Sequence, residues 1–137
     1  MDIVERLPDL TEPERRPIVH ILDQGTLAGI CDAFVNNRYH VLHISCHGEP
    51  GALHLETEDG TVDKITAADL VSRFPAGKQP VLTVLSACHT GAAGELGSFA
   101  RQLVQNGFTC VVAMQEAVSD AYATAFTEAL YRYLAYA

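Results

Sequence analysis

Residues 41–48, VLHISCHG, and residues 81–91, VLTVLSACHTG, decide how this chain folds. Each opens on a mostly apolar run of strand length, residues 41–46 and 81–86. A strand with one wet face alternates apolar and polar residues, so runs this continuous predict strands buried on both faces, as in the middle of a parallel sheet. Both runs end in the same kind of punctuation, a Cys-His pair followed closely by glycine.

The flanking segments supply the helices that such a sheet needs. Residues 18–22 form a short apolar run with β-branched residues, read as one strand before the first motif. Thr26 is a plausible cap for a helix over residues 27–37. Residues 53–56 and 61–65 flank Glu58-Asp59-Gly60, where glycine permits positive φ, and predict a small hairpin. Thr66 and Asp69 have capping-box spacing for the next helix start. Residues 94–106 place Leu96, Phe99, Ala100, Leu103 and Val104 on one helical face, with Gly107 as the stop. Residues 110–114 predict another buried strand. Residues 119–136 predict a long last helix, capped by Ser119, with Tyr122, Phe126, Leu130 and Tyr133 along one face. This alternation implies an α/β fold: a three-layer αβα sandwich with a mostly parallel sheet and a small β-hairpin insertion.

Composition narrows the function. At 137 residues the chain suits one compact domain. Residues 1–17, with Pro8 and Pro13 among alternating acids and arginines, read as an irregular lead-in, and residues 18–137 as the domain. Nine Lys and Arg against 17 Asp and Glu give a formal charge of -8, with no basic stripe, which argues against direct binding of nucleic acid. No run approaches the ~18 apolar residues of a membrane span, and residues 1–8 lack a signal-peptide pattern, so a cytoplasmic location is the expectation. Cys31, Cys46, Cys88 and Cys110 are too widely spaced for a disulfide framework and are expected to be reduced.

In open sheets of this kind, chemistry gathers at the carboxyl ends of the strands. If the two central strands are neighbours, His47 and Cys88 face one cleft. A neutral imidazole there accepts the thiol proton and holds the thiolate as an ion pair, which lowers a cysteine pKa well below ~8.5. The amides of Gly48 and Cys88 are candidate donors to a developing oxyanion, each worth about 3 kcal/mol. Small residues around Cys88 (Ser86, Ala87, Gly91 to Gly94) would leave the thiol uncovered. A cysteine and a histidine at such spacing also occur together by chance. The doublets Cys46-His47 and Cys88-His89 further admit a zinc site of two thiolates and two imidazoles. Adjacent strand residues point oppositely, however, so both members of each doublet converge only in loops.

Residues 39–48, YHVLHISCHG, followed by LSACHTG at residues 85–91, resemble the CHAT family of caspase-like peptidases, relatives of separase, caspases and gingipains. The resemblance spans roughly residues 26–137, including the hairpin, the Phe99-Ala100-Arg101-Gln102-Leu103 helix and the strand from Gly107 to Ala113. It implies His47 as catalytic base, Cys88 as nucleophile and the Gly48 amide as oxyanion donor. After the last strand the family usually carries Trp-x-Val-x-Asp, and here Glu116-Ala117-Val118-Ser119-Asp120 stands instead. Asp120 is thus the candidate acid for a pocket selecting Lys or Arg before the scissile bond, and Glu116 a second. As a first-turn acid, Asp120 equally suits a helix start. His89 stands where relatives commonly have Glu, and reads as solvated. Cys46 and His43 read as packing residues, His54 as part of an exposed hairpin, and Cys31 and Cys110 as core.

The resemblance therefore implies a bacterial cysteine endopeptidase acting on a protein or peptide substrate after Lys or Arg, without metal or cofactor. It implies control by sensor modules such as helical repeats outside this chain. The competing expectation is a catalytically silent caspase-like interaction or scaffold domain. That alternative draws on the short lead before the histidine motif and the end of the sequence inside the last helix. A flavodoxin-like small-molecule binder is disfavoured, because no glycine-rich phosphate loop follows the first strand.

Overall fold

The protein's structure is a computed structural model that describes residues 18–89, 95–113 and 120–136. The lead-in over residues 1–17 lies outside the described residues. Two compact units organise the chain, residues 22–117 with all five strands, and a second unit that holds the last helix.

Helix α1, Leu27–Asn36, starts where the sequence predicts. The Thr26 hydroxyl accepts the Gly29 N–H at 2.9 Å, satisfying a first-turn donor. Leu27, Ile30, Cys31 and Phe34, at i, i+3, i+4 and i+7, are its buried face. Strand β1, Val41–Glu49, follows, then β2, Ala52–Glu56, and β3, Val62–Thr66. Helix α2, Ala67–Arg73, opens on the expected capping box: the Thr66 N–H donates to Asp69 at 2.9 Å, and the Asp69 N–H to the Thr66 hydroxyl at 3.1 Å. Next come β4, Leu82–His89, and α3, Glu95–Gln105. Beyond α3, Gly107 takes φ 99°, letting the Phe108 N–H reach back to the Leu103 carbonyl at 3.1 Å. The unit closes with β5, Val111–Ala113, and the second unit contains α4, Asp120–Tyr136.

The sheet order is β3-β2-β1-β4-β5. β1 pairs parallel with β4, and β4 with β5, whereas β2 is antiparallel to both β1 and β3. All strands but β2 therefore run one way, and the architecture is the expected α/β class, compatible with a three-layer sandwich. Leu42 and Ile44 of β1, Leu53 and Leu55 of β2, Ile65 of β3 and Leu85 of β4 join one core with α1, α2 and α3. The side chains of Phe34, Phe74 and Phe108 follow one another through this core at centroid separations of 4.8 and 5.1 Å.

Several expectations need correction. Residues 18–22 form no strand, and Ile18 is 97% exposed. A β-branched run becomes a strand only where a ladder takes it up, and the five-stranded sheet assembles without this one. Cys110 is exposed, not core, because it precedes β5 instead of lying in it. β5 is half-buried and three residues long, and Met114 lies outside the described residues. Val104 also faces solvent. In α4, Tyr122 and Tyr133 are exposed, while Thr127 is fully buried and burial pushes the Tyr131 hydroxyl up to about 12. A tyrosine ring is apolar with a polar tip, so it tolerates solvent, and its bulk does not fix which face turns inward. Among the described residues no helix is long and apolar enough to cross a membrane.

Candidate active site

Both predicted strands run further than their apolar cores suggest, and that extension builds the site. β1 continues through His47 and Gly48 to Glu49, and β4 through Cys88 to His89. The parallel ladder pairs Ile44 with Leu85, Ser45 with Ser86, Cys46 with Ala87, His47 with Cys88, and Gly48 with His89. His47 and Cys88, 41 positions apart in sequence, are thus direct partners on neighbouring strands, with Cα atoms about one strand spacing, ~4.8 Å, apart. Of Cys88, the backbone lies within the described structure and the side chain outside it.

Strand alternation assigns the faces. Leu42 and Ile44 point into the helix-covered core and Cys46 packs against it, so the His47 position belongs to the opposite face, where it is exposed. Burial raises the Cys46 thiol to about 11, which makes it an inert packing residue at neutral pH. His43, two positions before Ser45 on the His47 face, is largely buried, and burial pushes its imidazole below the ordinary range. Because Cys46 and His47 stand on opposite faces, the doublet cannot converge on one ion, the geometric objection raised against a zinc reading.

Gly48 sits in register between Leu53 of β2 and His89 of β4, as an extended strand residue and not a loop glycine. The chain then turns at Pro50-Gly51, with Gly51 at φ 75°, the residue pair that a type II turn favours. That turn folds β2 directly onto the end of β1, pairing His47 with His54, Gly48 with Leu53 and Glu49 with Ala52. Sequence reading missed this pairing, although Pro-Gly after the histidine motif was its signal.

The consequence is a second set of side chains beside His47. His54 is not an exposed hairpin residue: its Nε2 lies 3.1 Å from Glu49 Oε2, and Lys64 Nζ lies 3.2 Å from the same oxygen. Contact with His54 first, and with Lys64 second, holds the Glu49 carboxyl below the usual carboxylate range, so it is an anion at neutral pH. Since His54 pairs with Lys64 across β2 and β3, the positions Cys88, His47, His54 and Lys64 form one row across four strands.

Asp120 opens α4 in the second unit, and Glu116 and Ser119 fall outside the described residues. Among the described residues, no group of three or more His, Cys, Asp or Glu is placed to hold a metal ion. Comparison with known proteins finds one family, described as CHAT domain, matching residues 3–137. No curated protein matches the chain.

Proposed function

Because the chain belongs to the CHAT domain family, a family related to the caspase-like peptidases, we propose that it is a cysteine endopeptidase using Cys88 as nucleophile and His47 as base. The observation that carries this reading is the register of β1 and β4, in which His47 and Cys88 are direct partners at the carboxyl ends of two parallel strands. His47 takes the Cys88 thiol proton, and the thiolate attacks the scissile carbonyl carbon. The Cys88 amide donates to the oxyanion, and its collapse breaks the C–N bond while His47 returns the proton to the leaving amine. Water, deprotonated by His47, then hydrolyses the thioester and releases a carboxylate and the free thiol.

The proposed selectivity is for Lys or Arg before the scissile bond, with Asp120 as pocket acid and Glu116 as the second candidate. The specific support is the position of Asp120 in the sequence, at the aspartate of the family's Trp-x-Val-x-Asp pattern. The test is cleavage of matched peptides bearing Lys, Arg, Gln or Asp at that position. Wild type is expected to favour the basic peptides by at least about tenfold, or ~1.4 kcal/mol, and Asp120→Asn to lose most of that preference. Equal rates for Lys and Gln peptides, or a preference unchanged by Asp120→Asn with Glu116→Gln, would remove the pocket assignment. Control by sensor modules outside this chain, such as helical repeats, is part of the same proposal.

A further inference from the structure

The row Cys88, His47, His54, Lys64 has a direction once His47 is the group that protonates the leaving amine, and a subsite placed along it rests on that peptidase reading. A leaving group departs on the side of its proton donor. Residues beyond the scissile bond therefore extend from Cys88 past His47, toward His54 on β2 and Lys64 on β3. Lys64 stands two strands beyond His47, about 10 Å away, and an extended peptide advances about 3.3 Å per residue. With the reach of the lysine side chain, the ammonium meets the second or third residue after the bond.

We infer that Lys64, braced by Glu49 and flanked by His54, forms a subsite for a substrate carboxylate on the leaving-group side. The charge arrangement selects an anion. Glu49 Oε2 lies 3.1 Å from His54 Nε2 and 3.2 Å from Lys64 Nζ, so the one carboxylate stands between the two side chains. The Lys64 side chain remains 62% exposed, and an ammonium has three donors of which Glu49 takes one. The other acid of this strand face, Glu56, is turned to the Gly25 N–H, which it accepts at 2.8 Å. Outward donor capacity on this stretch is thus cationic, and Glu49 restrains the lysine in the geometry that presents it.

Two sources supply such a carboxylate, an Asp or Glu side chain and the substrate's own C-terminus. The experiment uses the full chain and peptides with Lys or Arg before the cleaved bond. One set carries Glu or Gln at the second and third positions after that bond, with an amidated end. Another ends at those positions, as free acid or amide. Wild type is expected to prefer the carboxylate member of one set by up to about fivefold in kcat/KM, the upper range for an exposed ion pair. Lys64→Gln should bring that ratio to one, and Lys64→Glu should invert it. Which set shows the preference identifies the source. Equal rates within every pair, or a preference that survives Lys64→Glu, overturn the subsite while leaving the peptidase intact. Failure to cleave any peptide, together with failure of Cys88 to react with a substrate-like electrophile, overturns the peptidase reading and the subsite with it.

Discussion

Replacing Cys88 with alanine is expected to abolish peptide hydrolysis, a loss on the scale of six orders of magnitude when the nucleophile of a covalent mechanism is removed. His47→Ala should cost roughly 10²–10⁴-fold, because a general base and acid is lost while the thiol remains. The double substitution should be no worse than Cys88→Ala alone, since the two act as one unit in the same step. His47 is exposed, and Cys88→Ala removes a single sulfur atom, so the fold should persist in both variants. Thermal unfolding within about 1–2 °C of wild type would separate lost chemistry from lost structure. Residual hydrolysis by Cys88→Ala above a few per cent would mean that another group attacks the substrate.

The second large effect is expected at Phe74. It caps the C-terminal end of α2, is buried, and packs at a tilt against Phe34 of α1 at 4.8 Å and edge-on against Phe108 after α3 at 5.1 Å. One ring thus joins the ends of three helices over the sheet. Phe74→Ala removes its transfer energy and leaves a cavity whose walls belong to separate elements, a loss of about 3–5 kcal/mol. For a chain of this length that lowers the melting temperature by roughly 10–20 °C. Cleavage by whatever fraction stays folded should have an unchanged pH profile, because Phe74 belongs to the helix side of the sheet and His47 to the other. A variant as stable as wild type would contradict the core described for residues 22–117.

Local signals explain how much of the fold was legible in the sequence. The caps at Thr26 and Thr66, the stop at Gly107 and the apolar runs of β1 and β4 are each written within a few residues, and each appears in place. The partnership of His47 and Cys88 required one more step, adjacency of the two strands, which the sequence leaves as a condition and the parallel ladder supplies. The set of Glu49, His54 and Lys64 was not legible in the same way. It depends on the turn at Pro50-Gly51 folding β2 onto the last three residues of β1, a register that no local pattern specifies. Reading β1 as ending at Cys46 left His54 in an exposed hairpin two elements away. Residues 18–22 failed for the opposite reason: their β-branched composition describes a surface that fits a sheet, but a strand also needs a neighbour. The face of α4 was obscured by its tyrosines, whose rings accept water or protein.

The central claim is a thiolate at Cys88 made reactive by His47. It is tested most directly by incubating the protein with a peptidyl electrophile carrying Lys or Arg at the position that would precede the cleaved bond, followed by mass spectrometry of the intact chain and its peptides. One adduct on Cys88 is expected, formed much faster than on the exposed Cys110, slowed by about 10²-fold or more in His47→Ala, and absent in Cys88→Ala. An adduct rate at Cys88 equal to that at Cys110, or one unaffected by His47→Ala, would contradict the account.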